Sequence, residues 1–213
     1  MIYIKSDKEI ELMRKPCEIV RDVLCLCEEK IRAGMTTKEL DKIAYDYITS
    51  CGATPSFLGY GGFPAATCIS IDEQVVHGFP SDRIIEEDQI VSVDVGAFFN
   101  GFHGDAARSL YVGHISPEKK KLIDVTRECF FEGIKGICIG SALGDIGAQV
   151  QEHAEKNGFS VVRDMVGHGV GRHLHEDPSV PNYGKRGVGV RLKRNMTIAI
   201  EPMINMGGYE VDI

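Results

Sequence analysis

Ile90-Val91-Ser92-Val93-Asp94 alternates apolar with small or polar residues and ends on a carboxylate, and Thr197-Ile198-Ala199-Ile200-Glu201 does the same far downstream. Alternation with a period of two is the pattern of a strand with one buried face. The recurrence points to an internal duplication, and the flanking punctuation supports it. Gly34 matches Gly140 and Gly52 matches Gly158 at one spacing, and the helical stretches between them, 37–50 and 143–157, are of similar length. Two α+β halves, about 1–113 and 114–213, that face each other across one site in a single catalytic domain are therefore expected.

The rest of the chain reads outward from these strands. Ser6 with Glu9 forms a capping-box pair, and Ile10, Met13, Cys17, Val20, Leu24, Cys27 and Ile31 recur at helical steps toward Gly34. Pro16 inside that pattern predicts a kink or a late helix start. Thr36 with Glu39 opens a second helix, with Leu40, Ile43, Ala44, Tyr47 and Ile48 on its apolar face and Gly52 at its end. Strands follow at 67–71, running on to Val75 and Val76, at 90–99, and at 106–113. Ser116-Pro117 starts a third helix that carries Leu122, Val125, Cys129, Phe130, Gly133 and Ile137. A last strand is expected at 209–213, with the chain stopping inside it, so the second half reads as incomplete.

With 213 residues, 43% of them apolar, the chain can bury a substantial core without covalent staples. It has 24 Lys and Arg against 31 Asp and Glu, a net charge of −7, and its longest basic run is Lys119-Lys120-Lys121. That balance argues against DNA as a partner; the lysine run reads as a solvated helix face that ribosomal RNA could meet. The cysteine count is odd, 7, and Cys17, Cys25, Cys27, Cys51, Cys68, Cys129 and Cys138 have neither zinc-ribbon nor redox spacing. Cys25 and Cys27 should point apart on their helix and act as small apolar residues. A reducing, cytoplasmic setting is expected, and no stretch is apolar over a membrane-spanning length.

Asp94 and Glu201 both start from apolar segments, where an unpaired charge would be costly, so a cation should await them. For either alone the plain alternatives are a solvent-facing aspartate or a bridge to Arg108. Asp105 would open the strand returning beside Asp94, after a glycine turn. His168 and His175 lie in Gly167-His168-Gly169-Val170-Gly171-Arg172-His173-Leu174-His175, too rich in glycine for a regular helix or strand, and His77 precedes a turn. Together Asp94, Asp105, His168 and Glu201 form an oxygen-rich set suited to manganese or iron(II) and adaptable to cobalt or zinc. Two ions sharing carboxylates can activate a bridging water for amide hydrolysis, with His77 and His175 left for proton transfer and oxyanion stabilisation.

Several motifs carry a family resemblance. They are Met165 to His175 followed by Val180-Pro181-Asn182-Tyr183, Ser92-Val93-Asp94-Val95-Gly96, Gly104-Asp105-Ala106-Ala107-Arg108, and Ile200-Glu201-Pro202-Met203. From Ile4 to its last residue the chain resembles the type I methionine aminopeptidases. The resemblance implies the pita-bread fold and removal of the initiator methionine from nascent polypeptides, with a small second residue preferred. It implies two divalent ions, Asp94 on one, Asp105 bridging both, and His168 and Glu201 on the other, with Glu201 also a base. It implies that His77 and His175 contact substrate and that Tyr60, Phe63, Cys68 and Leu174 line the methionine pocket. Leu174 stands where the family has phenylalanine, which widens the pocket. A further bridging glutamate of the family falls beyond the last residue, and Glu210 comes too early to replace it. Truncation, a weakened second metal site and low activity are therefore expected. A monomer meeting nascent chains at the ribosome, away from membranes, completes the reading. The competing readings are a prolidase- or creatinase-like hydrolase and a non-catalytic binding module of the same fold.

Overall fold

The structure, a computed structural model, describes residues 1–212. The chain divides into two compact units, one made of Lys8–Pro117 with Gly171–Leu174, the other of Met1–Asp7, Glu118–Val170 and the stretch from His175 onward.

In the first unit, α1 (Asp7–Lys30) and α2 (Thr37–Ser50) precede β1 (Thr54–Pro55), β2 (Thr67–Ile71), β3 (Ile90–Phe99) and β4 (Phe102–Tyr111). All pairings are antiparallel, with β3 in the middle, β4 along one edge and β1 and β2 sharing the other. Val91, Val93, Val95 and Ala97 of β3 point to one face, where Ile69, Ile71 and Leu110 join them against Ile19, Val20, Val23 and Leu24 of α1 and Leu40, Ala44 and Ile48 of α2. Burial of each such side chain contributes roughly 1.5–3 kcal/mol. The Thr36 capping box forms in full, Glu39 N donating to Thr36 Oγ1 at 3.1 Å and Thr36 N to Glu39 Oε2 at 2.7 Å. α1 runs through Pro16 rather than starting after it. Cys17, placed on the apolar face by the periodicity, is exposed, and buried Pro16 takes its place. A Cβ on Gly104 would lie 2.5 Å from Pro16 C, so helix and strand meet main chain to main chain there.

Two strand bounds differ from the sequence reading. β2 stops at Ile71 and does not reach Val76, because Asp72 turns left-handed (φ 51) and locks the corner: its N–H donates to Ile90 O and its Oδ1 accepts from Ile90 N. β4 begins at Phe102 and ends at Tyr111. Asn100 and Gly101, with φ of 51 and 86, make the two-residue turn suited to the twist of a hairpin. Asp105 therefore sits inside the strand, not at its opening.

The second unit holds α3 (Pro117–Ile134, from Glu118 on), α4 (Leu143–Lys156), β5 (Ser160–Val161), β6 (Gly167–Gly169), β7 (Glu176–Val180), β8 (Ile198–Ala199) and β9 (Ile204–Asn205). β6 lies between β7 and β8, and β5 pairs with β9. Val125 and Cys129 of α3 pack with Leu143, Ile146, Val150 and Ala154 of α4, and with Val161, Val180 and Ile204. Phe130 is solvent-exposed and so leaves the α3 seam that the periodicity implied, whereas Ile137, just beyond the helix, still packs against this core with Leu122. The chain's first residues form a strap on this unit. Lys5 Nζ donates to Glu176 Oε2 at 2.5 Å with both side chains closed to solvent, Lys5 N donates to Asn195 O, and Arg194 pairs with Asp7.

α2 and α4 are alike in local geometry. α2 and α4 each have 14 residues, and their caps Thr36 and Ala142 have φ/ψ of −83/154 and −85/152. Left-handed Gly34, Gly140, Gly52 and Gly158 flank them. The strand echo is weaker: β8 has only two residues, so Glu201 lies beyond it, whereas Asp94 lies within β3. The three-residue β6 offers no longer ladder. Residues 209–212 form no strand, since none of the described residues pairs with them, and Ile213 lies outside the described residues. All seven cysteines are free. Among the described residues no helix is long and apolar enough to cross a membrane.

Candidate functional site

In the first unit the register fixes where the carboxylates stand. Asp94 is opposite Ala107 and Asp105 opposite Gly96, so both are diagonal neighbours on the face turned away from the valine core. Arg108 is opposite Val93, on the other face, and pairs with Glu28. Cys68 is directly opposite Asp94. Burial pushes the Cys68 thiol well above its ordinary value, and the charges of Asp94, Asp105 and Asp41 push it further, so Cys68 is a neutral wall and not a nucleophile.

Cys68 also belongs to a small apolar cluster with Phe57 and Leu174, against which Phe63 packs. Leu174 is carried by the 171–174 segment, which docks on the sheet unit through His103 N to Gly171 O at 2.8 Å and Arg172 stacked on Phe102. Tyr60 lies on a 3-10 turn (Tyr60–Gly62), is 50% exposed and is not part of the cluster. Phe57 was not foreseen. Nor were Ser56 and His103, whose Oγ and Nδ1 are 2.8 Å apart two residues before Asp105 on its strand face. Gly96 admits them, since a Cβ there would lie 2.7 Å from Ser56 Cβ and 2.8 Å from Phe57 Cε1.

His77 follows β2 by several residues rather than directly. It is left-handed (φ 59), an uncommon state for a residue with a side chain. The neighbouring Gly78 closes on the edge of β2, accepting from Ile69 N at 2.9 Å and donating to Ser70 Oγ at 3.0 Å.

The glycine-rich stretch is a strand only at its start, Gly167–Gly169 in the second unit; residues 170–175, which carry His175, are irregular as its glycines imply. Gly167 and Gly169 flank His168 within β6, and a Cβ on them would meet Ala199 O and Asp177 O, each at 2.3 Å. These glycines serve close strand packing, so His168 is held rigidly. Its Nδ1 donates to Gly169 O at 2.7 Å, which leaves the lone pair on Nε2. That nitrogen lies 3.1 Å from Glu201 Oε1, an oxygen that is buried and accepts no hydrogen bond. The His175 ring packs against His168 with centroids 4.2 Å apart and the planes tilted by 59°.

An imidazole nitrogen and a carboxylate oxygen on one divalent ion, each about 2.1 Å from it and near a right angle, stand about 3 Å apart. His168 and Glu201 have that separation already, so the residues fit a divalent cation. Among the described residues no group of three or more His, Cys, Asp and Glu side chains forms a ready-made ligand sphere. The donors come as one pair in each unit.

Residues 11–212 match metallopeptidase family M24. The methionine aminopeptidase of Clostridium perfringens is 54% identical over 211 residues, 99% of this chain and 85% of that protein. Methionine aminopeptidase 1 of Bacillus subtilis is 45% identical over the same shares. Among solved structures, methionine aminopeptidase from Thermotoga maritima matches with a TM-score of 0.98 and 45% identity, covering 100% of this chain and 86% of that one. Prolidase from Pyrococcus furiosus matches at 0.81 and 27% identity, covering 96% and 59%. The α+β architecture is thus the pita-bread fold. By sequence over nearly its whole length and by the course of its backbone, the chain belongs to metallopeptidase family M24, hydrolases that use divalent metal.

Proposed function

We propose that this chain is a methionyl aminopeptidase that removes the initiator methionine from nascent polypeptides in the cytoplasm, acting as a monomer and preferring a small second residue. The observation that carries the reading is the double placement of Cys68. It lies opposite Asp94 in the sheet and in the apolar cluster with Phe57 and Leu174. An unbranched, uncharged side chain the size of methionine would pack there with its amino-terminal end beside the two carboxylates. Identity of 54% to a methionine aminopeptidase supports the same substrate.

In this reading Asp94 and Asp105 of the first unit, and His168 and Glu201 of the second, would be the ligands of two divalent ions, whether manganese, iron(II), cobalt or zinc. When bound, these ions supply an activated water and a polarised scissile carbonyl. Glu201 takes the proton of the attacking water on its carboxylate. His77 and His175 hold the developing oxyanion and return a proton to the amide nitrogen as the C–N bond breaks. Phe57, Phe63, Cys68 and Leu174, with Tyr60, line the pocket and exclude water from the methionine side chain.

Methionine release from Met-Ala-Ser with added manganese or cobalt tests this. Slow release, in keeping with the low activity expected from the sequence and abolished by Asp94→Asn and Glu201→Gln, is expected. Cleavage of Xaa-Pro dipeptides instead, with Met-Ala-Ser untouched, would move the chain to the prolidase reading.

A further inference from the structure

Glu201 sits where ordinary secondary structure cannot hold it. β8 ends at Ala199, and the residue after Glu201 is Pro202, which has no N–H to donate. One anchor of this segment is Val162 N, donating to Met203 O at 3.0 Å. The other is a side chain: Asn182 Nδ2 donates to the Glu201 carbonyl at 2.6 Å.

Asn182 is fully buried, and its Oδ1 accepts no hydrogen bond. A buried acceptor without a partner lowers stability, and leucine would fill the same volume without that cost. The amide orientation is set by chemistry, because the opposite assignment would press oxygen against oxygen. Its own backbone is fixed: a Cβ on Gly147 of α4 would lie 2.4 Å from Tyr183 O and 2.7 Å from Pro181 O, so the 181–183 segment is seated directly on the helix.

We infer that Asn182 is a positioning residue for metal binding, its buried amide fixing the Glu201 main chain so that the carboxylate meets His168 Nε2. This rests on the reading of Glu201 as a metal ligand. An outer partner of this kind typically changes metal affinity or activity 10–100-fold.

The test is manganese titration calorimetry on the metal-free chain, with thermal melts, for Asn182→Leu, Asn182→Asp and the control Glu201→Gln. Both Asn182 variants leave the Glu201 carbonyl without its donor, so a lowered melting temperature is expected, more so for the aspartate, and the folded variants should bind manganese about 10–100-fold more weakly. Unchanged affinity in both, with affinity lost in Glu201→Gln, would overturn the inference and leave the ligand reading intact. Unchanged affinity in Glu201→Gln would remove the ligand reading itself. Failure of both Asn182 variants to fold would assign the amide to the scaffold and overturn the inference too.

Discussion

Asp41 of α2 caps the entry to β2, its Oδ1 accepting from Thr67 N at 2.8 Å, Thr67 Oγ1 at 2.7 Å and Ala66 N at 3.1 Å. Burial raises the carboxyl pKa, and these hydrogen bonds oppose the rise. Asp41→Ala strands three donors at the strand that carries Cys68. A loss of about 2–4 kcal/mol is expected in urea unfolding, with a smaller loss for Asp41→Asn, which keeps an acceptor.

Lys5 and Glu176 neutralise each other out of water, with side chains 4% and 1% exposed. Removing one partner leaves a buried charge, so Lys5→Met should cost about 3–5 kcal/mol. The double variant Lys5→Met/Glu176→Leu should recover most of it. A double variant as unstable as the single one would show that packing, not charge, is what Lys5 contributes.

Gly169 faces Asp177 O at 2.3 Å from the position of any Cβ. Gly169→Ala must push β6 from β7, at a cost of about 3 kcal/mol. Because His168 is the adjacent residue, manganese binding by the variant should fall together with its melting temperature.

Leu174 is 2% exposed and packs with Phe57 and Cys68. Leu174→Ala should lower stability by about 2–5 kcal/mol. In peptide assays it should raise KM for methionine substrates more than it lowers kcat. The opposite split would place Leu174 outside the pocket.

Burial pushes the thiols of Cys27 and Cys129 up to about 12, from an ordinary value of 9.0. The folded state holds these protons more tightly than the unfolded one. The stability they contribute is fully present below pH 9 and declines as pH rises toward 12. Unfolding free energy should fall over that interval, less steeply in Cys27→Ala. At pH 8 iodoacetamide should label exposed Cys17, Cys25 and Cys138 and spare Cys27, Cys68 and Cys129, as peptide mass spectrometry would show.

The helices were legible because their ends are local. Thr36 and Glu39 are three residues apart and need nothing else to declare a helix start. The strands were legible only where the partner is long. β3 is flanked along its length and matched residue for residue, whereas the segment ending at Glu201 could pair only as far as the short β6 allows. Asn100-Gly101 was a readable hairpin signal that was passed over, which moved the start of β4 and put Asp105 at a turn. Gly167 and Gly169 misled for a physical reason: absence of a side chain serves flexibility and tight packing equally, and sequence does not separate them. Phe57 and Asn182 were unreadable as site residues because their partners, Leu174 and Glu201, are distant in the chain.

The strap has a consequence for the order of events during synthesis. Lys5 is separated from Glu176 by 171 residues, so the lysine emerges long before the carboxylate that seats it. At ribosomal speeds of about 5–20 residues per second, that wait is roughly ten to thirty seconds. Asp41 and Thr67, by contrast, are only 26 residues apart and can meet early. The sheet unit can thus gather its main core while the chain's first residues are still unplaced. The buried lysine is then a late closure, set only when β7, which carries Glu176, and the turn at Asn195 both exist.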